Sequence, residues 1–145
     1  VGGQMMDLIS EGRYNQFSPD ENYIIQTQKL KTGALITFSL KAGGLIGGAN
    51  KDELIVLEKF GEKIGLAFQI VDDILDCTSS ENELGKSVDA DIKLGKTTFV
   101  TLLGLQESKN KVKKLIQEAK IEISKISKDV EKLIMLAEFV EYRKN

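Results

Sequence analysis

The chain has 145 residues, 41% hydrophobic and 29% charged, ordinary values for a single globular domain with a substantial core. Its 20 basic and 22 acidic residues leave a net charge of -2, which gives no overall field for nucleic acid or an anionic membrane, and no apolar run reaches the roughly 18 residues of a membrane span. Histidine is absent, which removes His-based triads, zinc sites and carboxylate-plus-His di-iron bundles, while the lone Cys77 can form no internal disulfide and fits packing in a reducing, cytoplasmic compartment.

One proline and few strand patterns predict an all-α fold. Val1-Gly2-Gly3-Gln4 runs without a cap into Met5, Met6, Leu8 and Ile9, so the chain reads as continuing a helix begun upstream. After a polar connection from Glu11 to Phe17, Ser18-Pro19-Asp20-Glu21 offers an N-cap, a proline at the first helical position and a capping-box glutamate. The helix predicted there carries Tyr23, Ile24 and Leu30 to Lys31-Thr32-Gly33. It continues through Ala34, Leu35 and Ile36 to the glycine cluster Gly43, Gly44, Gly47 and Gly48. So many small residues suit close helix packing. They also keep the wall low enough for Lys31 to reach across a cavity.

Asp52 is the expected cap of the next helix, which passes Leu54, Leu57, Phe60 and Ile64 and ends near Thr78, about 25 residues and roughly 38 Å long. Within it Gln69, Asp72, Asp73 and Asp76 fall at i, i+3, i+4 and i+7, one stripe of a helix. A globular helix normally fills such a stripe with apolar residues. Here the apolar residues Phe68, Val71 and Leu75 flank it on one side and Ala67, Ile70 and Ile74 on the other. Asp72 and Asp76 repel at i, i+4, and Asp is a poor helix former. A divalent cation would relieve that repulsion; Mg²⁺ takes oxygen ligands and is typically held by one or two carboxylates together with substrate phosphates. A solvated acidic patch is the plainer reading of the same residues.

Ser79 to Gly95 is the longest polar region, expected to be a loop that brings Lys86 and Lys96 to the acidic end of the helix. Ala90 to Thr97 is a loose P-loop match that follows no strand. Asp89 and Asp91 start a calcium-loop pattern that Lys93 breaks and no glutamate ends. Thr98 to Gln106 reads as one buried helix. Asn110–Ile126 and Asp129–Tyr142 form an amphipathic pair, with Val112, Leu115, Ile116, Ala119, Ile123 and Ile126 inward in the first. Val130, Leu133, Ile134, Ala137 and Val140 face inward in the second.

Five ordered blocks now stand together: Gly2-Gly3-Gln4 with Asp7; Lys31-Thr32-Gly33-Ala34-Leu35; Phe68-Gln69 with Asp72, Asp73 and Asp76; Leu84-Gly85-Lys86; and Asp91 with Gly95-Lys96-Thr97-Thr98. In this combination the chain closely resembles the C-terminal half of trans-isoprenyl diphosphate synthases of the bacterial farnesyl or geranylgeranyl type. The resemblance covers residues 1–145 as half of one synthase domain. It implies an all-α bundle around a deep cavity with two aspartate-rich motifs on opposite walls, of which Asp72, Asp73 and Asp76 match the second. The first motif, the anchors for isopentenyl diphosphate and the positions that set product length would lie before Val1.

The family's chemistry is Mg²⁺-dependent: an allylic diphosphate loses its diphosphate, and the carbon left behind is attacked by the double bond of isopentenyl diphosphate. By resemblance Asp72, Asp73 and Asp76 hold Mg²⁺, and Lys31, Lys86 and Lys96 contact the allylic diphosphate. Thr32 and Gln69 lie near the developing cation, Phe68 close to isopentenyl diphosphate, and Asp91 orders the lysine loop. Arg143 and Lys144 match the family's basic tail and would meet isopentenyl diphosphate. Val100 stands where relatives often carry proline. The chain alone is expected to be inactive and to self-associate as a homo-oligomer through apolar surface. A non-catalytic subunit of a heteromeric prenyl synthase, a helical interaction module and a terpene cyclase remain as alternatives; the intact acidic stripe argues against the first two.

Overall fold

The computed structural model describes residues 2–8, 20–84 and 97–143. The elements are α1 (Gly2–Leu8), α2 (Glu21–Gln28), a π-helical turn (Lys29–Gly33), α3 (Ala34–Ile46), α4 (Lys51–Leu84), α5 (Phe99–Leu103), α6 (Leu105–Ile123) and α7 (Glu131–Tyr142). The described residues contain no strand, as the pattern predicts, and no helix among them is long and apolar enough to cross a membrane.

α4 is the central element, and α3, the π turn, α6 and α7 all pack on it. Its Phe60, Ile64, Ala67, Ile70, Val71 and Ile74 are buried together with Phe99 and Val100 of α5 and with Val112, Ile116, Ala119 and Ile123 of α6. Cys77 is buried in the same core, in keeping with a packing role. Ala137 and Val140 of α7 complete the core, and Leu133 and Ile134 pack partly buried against it. The inward faces read for the last two long helices therefore hold. On the opposite side of α4 the chain approaches the π turn closely: a Cβ at Gly65 would lie 2.8 Å from Gly33 Cα. A side chain at position 65 would push the turn away.

Several predicted boundaries move. Asp20, not Ser18, caps α2, its carboxylate accepting the Tyr23 N–H at 2.8 Å; Ser18 and Pro19 lie outside the described residues. Asn50, not Asp52, starts α4: its side-chain oxygen accepts the Glu53 N–H at 2.9 Å, and Glu53 accepts the Asn50 N–H at 2.8 Å. α4 has 34 residues and continues past Thr78 to Leu84, so the first residues of the expected loop are helical. No glycine or proline interrupts the chain between Thr78 and Gly85, and nothing local stops the helix. The single helix expected from Thr98 to Gln106 is two, because Gly104 takes a positive φ of 82°, ends α5 and lets α6 begin at Leu105.

One face of the molecule is apolar and open. Leu35, Phe38, Leu45 and Ile46 of α3 are exposed, Ile46 to 90%, beside a groove of about 860 Å³ that also meets Leu30 and Gly33 of the π turn.

Candidate active site

The polar stripe of α4 is held in place by the core beneath it. Ile70, Val71 and Ile74 are buried, so the helix cannot rotate the stripe away from its surface without exposing them. Gln69, Asp72 and Asp73 are half-buried and Asp76 is exposed. Opposite stand Gln28, the last residue of α2, and Lys31 of the π turn; Thr97 and Thr98 come from the approach to α5. These eight residues line one cleft of about 210 Å³.

The π turn gives Lys31 its position. Ala34 donates its backbone N–H to Lys29 O, five residues back, and one extra residue is thereby inserted into the helical path. Such insertions recur at functional sites because they re-aim side chains that a regular helix would place elsewhere. The sequence reading has an uninterrupted helix here, since a one-residue bulge leaves no mark in the hydrophobic pattern. α1 braces the same wall, with the Tyr23 hydroxyl donating to Met6 O at 2.9 Å.

Within the cleft each described carboxylate is differently engaged. Gln69 Nε2 donates to Asp72 Oδ2 at 3.3 Å, and Asp72 Oδ1 forms an ion pair with Arg143 Nη2. Asp73 Oδ2 accepts the Phe99 N–H at 3.0 Å, which ties the stripe to the start of α5. Asp76 projects into solvent at the end of the row. All of these donors are hard oxygens on one face, which fits Mg²⁺. Among the described residues no three acidic, His or Cys side chains already converge as a cage. Mg²⁺ needs only one or two carboxylates when phosphate oxygens and waters fill its shell.

Gln69, Asp72, Asp73 and Asp76 share one face, as their spacing predicts, and Lys31 lines the same cleft. Thr32 is half-buried on the π turn and does not line the cleft. Phe68 lies beneath the Arg143 guanidinium. Lys86, Asp91, Lys96 and Lys144 lie outside the described residues. The Arg143 side chain, expected in a basic tail, is 16% exposed and packed on α4. Gln28 was missed altogether. It is 9% exposed, and its side-chain oxygen has no hydrogen-bond partner among the described residues. Its place three residues before Lys31, one helical turn away, was the available signal.

A family model described as polyprenyl synthetase matches residues 1–136. The chain belongs to the polyprenyl synthetase family. Among its relatives is a geranylgeranyl diphosphate synthase of Cyanophora paradoxa, 39% identical over 100% of this chain and 47% of that protein. The farnesyl diphosphate synthase of Escherichia coli is 38% identical over 98% of the chain and 48% of its own length. Among solved structures, an FPP/GFPP synthase from Zymomonas mobilis superposes with a TM-score of 0.78 at 34% identity, covering 96% of this chain and 44% of that one. The geranylgeranyl pyrophosphate synthetase of Pyrococcus horikoshii superposes with a TM-score of 0.82 at 26% identity, covering 99% and 54%. This polyprenyl synthetase chain therefore spans about half the length of the relatives it matches.

Proposed function

We propose that the chain is the C-terminal half of a prenyl diphosphate synthase domain. The reaction is condensation of an allylic diphosphate with isopentenyl diphosphate to a longer farnesyl or geranylgeranyl diphosphate. The observation that carries this reading is the cleft in which Lys31, Gln69, Asp72, Asp73 and Asp76 meet, in a chain of the polyprenyl synthetase family. Relatives that are geranylgeranyl and farnesyl diphosphate synthases support the substrate class.

Asp72, Asp73 and Asp76 would hold Mg²⁺, which when bound supplies Lewis acidity at diphosphate oxygens. Lys31 places a fixed positive charge where negative charge builds up as the allylic carbon–oxygen bond breaks. Gln69 spends an amide N–H on Asp72, which leaves its carbonyl oxygen to face an electron-poor carbon. Thr32 would assist there, Phe68 would border isopentenyl diphosphate, and Lys86 and Lys96, ordered by Asp91, would cover the allylic diphosphate. The double bond of isopentenyl diphosphate forms the new carbon–carbon bond, and a proton is then lost from the neighbouring carbon. Arg143 and Lys144 would serve the second diphosphate.

The open apolar face of α3 supports a second part of the reading: the other half of the domain covers it, and without that half the chain self-associates there. The functional test is conversion of radiolabelled allylic diphosphate by the 145-residue chain alone, then with an added N-terminal half of a relative. Product is expected only in the second case, and substantial elongation by the chain alone would overturn the half-domain reading. For the metal, calorimetry should find Mg²⁺ bound weakly by the chain alone and much more tightly with inorganic diphosphate. Equal affinity under both conditions would count against the carboxylate assignment.

A further inference from the structure

Arg143 immediately follows α7, its backbone extended and its N–H donating to Phe139 O at 2.9 Å. From there the side chain turns back onto α4 and is gripped three ways. Nη2 donates to Phe68 O at 3.1 Å, the same nitrogen pairs with Asp72 Oδ1, and the guanidinium carbon stands 3.8 Å from the centre of the Phe68 ring. Nε is buried with no partner among the described residues. A guanidinium stays charged at every accessible pH, so this is a permanent cation placed on the acidic stripe.

The pairing bears on the repulsion between Asp72 and Asp76. An opposite charge on Asp72 removes much of that like-charge cost at i, i+4, the relief for which a divalent cation was invoked. Asp72 is engaged at both oxygens, Oδ1 by Arg143 and Oδ2 by Gln69. A metal ion that takes Asp72 at Oδ1 competes directly with Arg143 for that oxygen. We propose that Arg143 is a positioning residue, a built-in counterion of Asp72 that a divalent cation displaces, so that metal uptake and release of Arg143 from Phe68 are one event. The proposal rests on the reading of the aspartates as Mg²⁺ ligands. Loss of the pair would also uncover the face of the Phe68 ring that the guanidinium covers.

The test is calorimetric titration of Mg²⁺ into the full chain with inorganic diphosphate present. Arg143→Met keeps the apolar stem on Phe68 and deletes the charge; folding of the variant is checked by far-ultraviolet circular dichroism. Its Mg²⁺ affinity should rise on the order of tenfold, the scale of one hydrogen bond to a charged group. Should the Met variant fail to fold, Arg143→Lys serves instead: it keeps a charge but loses the flat fork and the stacking, and a smaller rise is expected. An unchanged affinity would mean that Arg143 only meets substrate, a lower one that it only anchors α7, and either result overturns the proposal. Asp76→Asn separates the two levels of the argument. If it weakens binding while Arg143→Met leaves binding unaltered, the counterion role fails and the Mg²⁺ reading stands. If Asp76→Asn changes nothing, the cation lies elsewhere and both fail.

Discussion

α6 and the π turn are both helical segments packed on α4, yet they are built on opposite rules. In α6 the buried residues Val112, Ile116, Ala119 and Ile123 recur at four, three and four positions, the spacing of a regular amphipathic helix. Its charged side is tied down by ion pairs, Lys111 to Glu21, Lys63 to Glu118 and Lys120 to Glu138. The π turn has no such periodicity. It exposes Leu30 to 52%, gives up the regular i to i-4 bond at Ala34, and is pressed against Gly65 with no side chain between. Regular geometry in α6 stores stability, whereas irregular geometry in the turn sets one lysine on the wall of the cleft that holds three carboxylates.

That contrast breaks most visibly in α6. Ile116→Ala removes a fully buried side chain from the contact with α4 and should cost about 2–5 kcal/mol, the range for large-to-small core changes. Thermal or urea denaturation measures it. Where the variant is still folded, Mg²⁺ affinity with diphosphate should be unaltered, because α6 lines no part of the cleft. A large affinity change at full folding would mean that scaffold and site are not separable.

Gly65→Ala tests the other side. The new methyl group meets the Gly33 backbone rather than a side chain that could swing aside, so the turn must move. A loss of about 1–3 kcal/mol is expected for overpacking of this kind. Unlike Ile116→Ala, the substitution should also weaken diphosphate binding, since Lys31 shifts with the turn. Equal binding by native and variant chains would show that Lys31 does not depend on the π geometry.

The fold was legible wherever one physical signal acted alone. Hydrophobic period gave α6 and α7, and the apolar flanks of the acidic stripe gave the orientation of α4. The boundaries were less legible because polar residues competed for the same cap: Asp20 lies two residues after Ser18, and Asn50 two before Asp52. The break at Gly104 depended on a glycine that pattern alone treats as neutral. In the candidate site, the residues on a single helix were found by spacing. Gln28 and the burial of Arg143 were not, since each depends on what a distant segment brings against it. Arg143 and Asp72 are 71 residues apart, and nothing local in either sequence neighbourhood marks the pair.

Gln28 offers a smaller test at the edge of the cleft. Gln28→Met has nearly the same length and no polar atoms, so it removes a buried oxygen that lacks a partner among the described residues. Stability should be unchanged or rise by up to about 1 kcal/mol. Mg²⁺ affinity with diphosphate should fall if that oxygen accepts a hydrogen bond from a bound water or ligand group. A destabilised variant with unaltered affinity would assign Gln28 to packing alone.

The smallest effect is expected where α6 meets solvent. Glu118 accepts a hydrogen bond from Lys63 at 2.7 Å, and that bond is the main reason its carboxyl is held below the ordinary glutamate range. Partial burial opposes the shift, while the charges of Lys63, Lys114 and Lys111 add to it. A carboxyl with a lowered folded-state pKa contributes stability at pH values above its unfolded pKa, and that contribution disappears as pH falls through the folded value. Glu118 is 40% exposed, so solvent screens the pair and Glu118→Gln should cost only about 0.2–1 kcal/mol near neutral pH. In melts at decreasing pH the native chain should lose its advantage over the variant, and the two curves should converge once the carboxyl is protonated. High salt should shrink the same difference at neutral pH. A gap that persists in acid would trace the stability to packing of the Glu118 stem against Lys63 rather than to its charge.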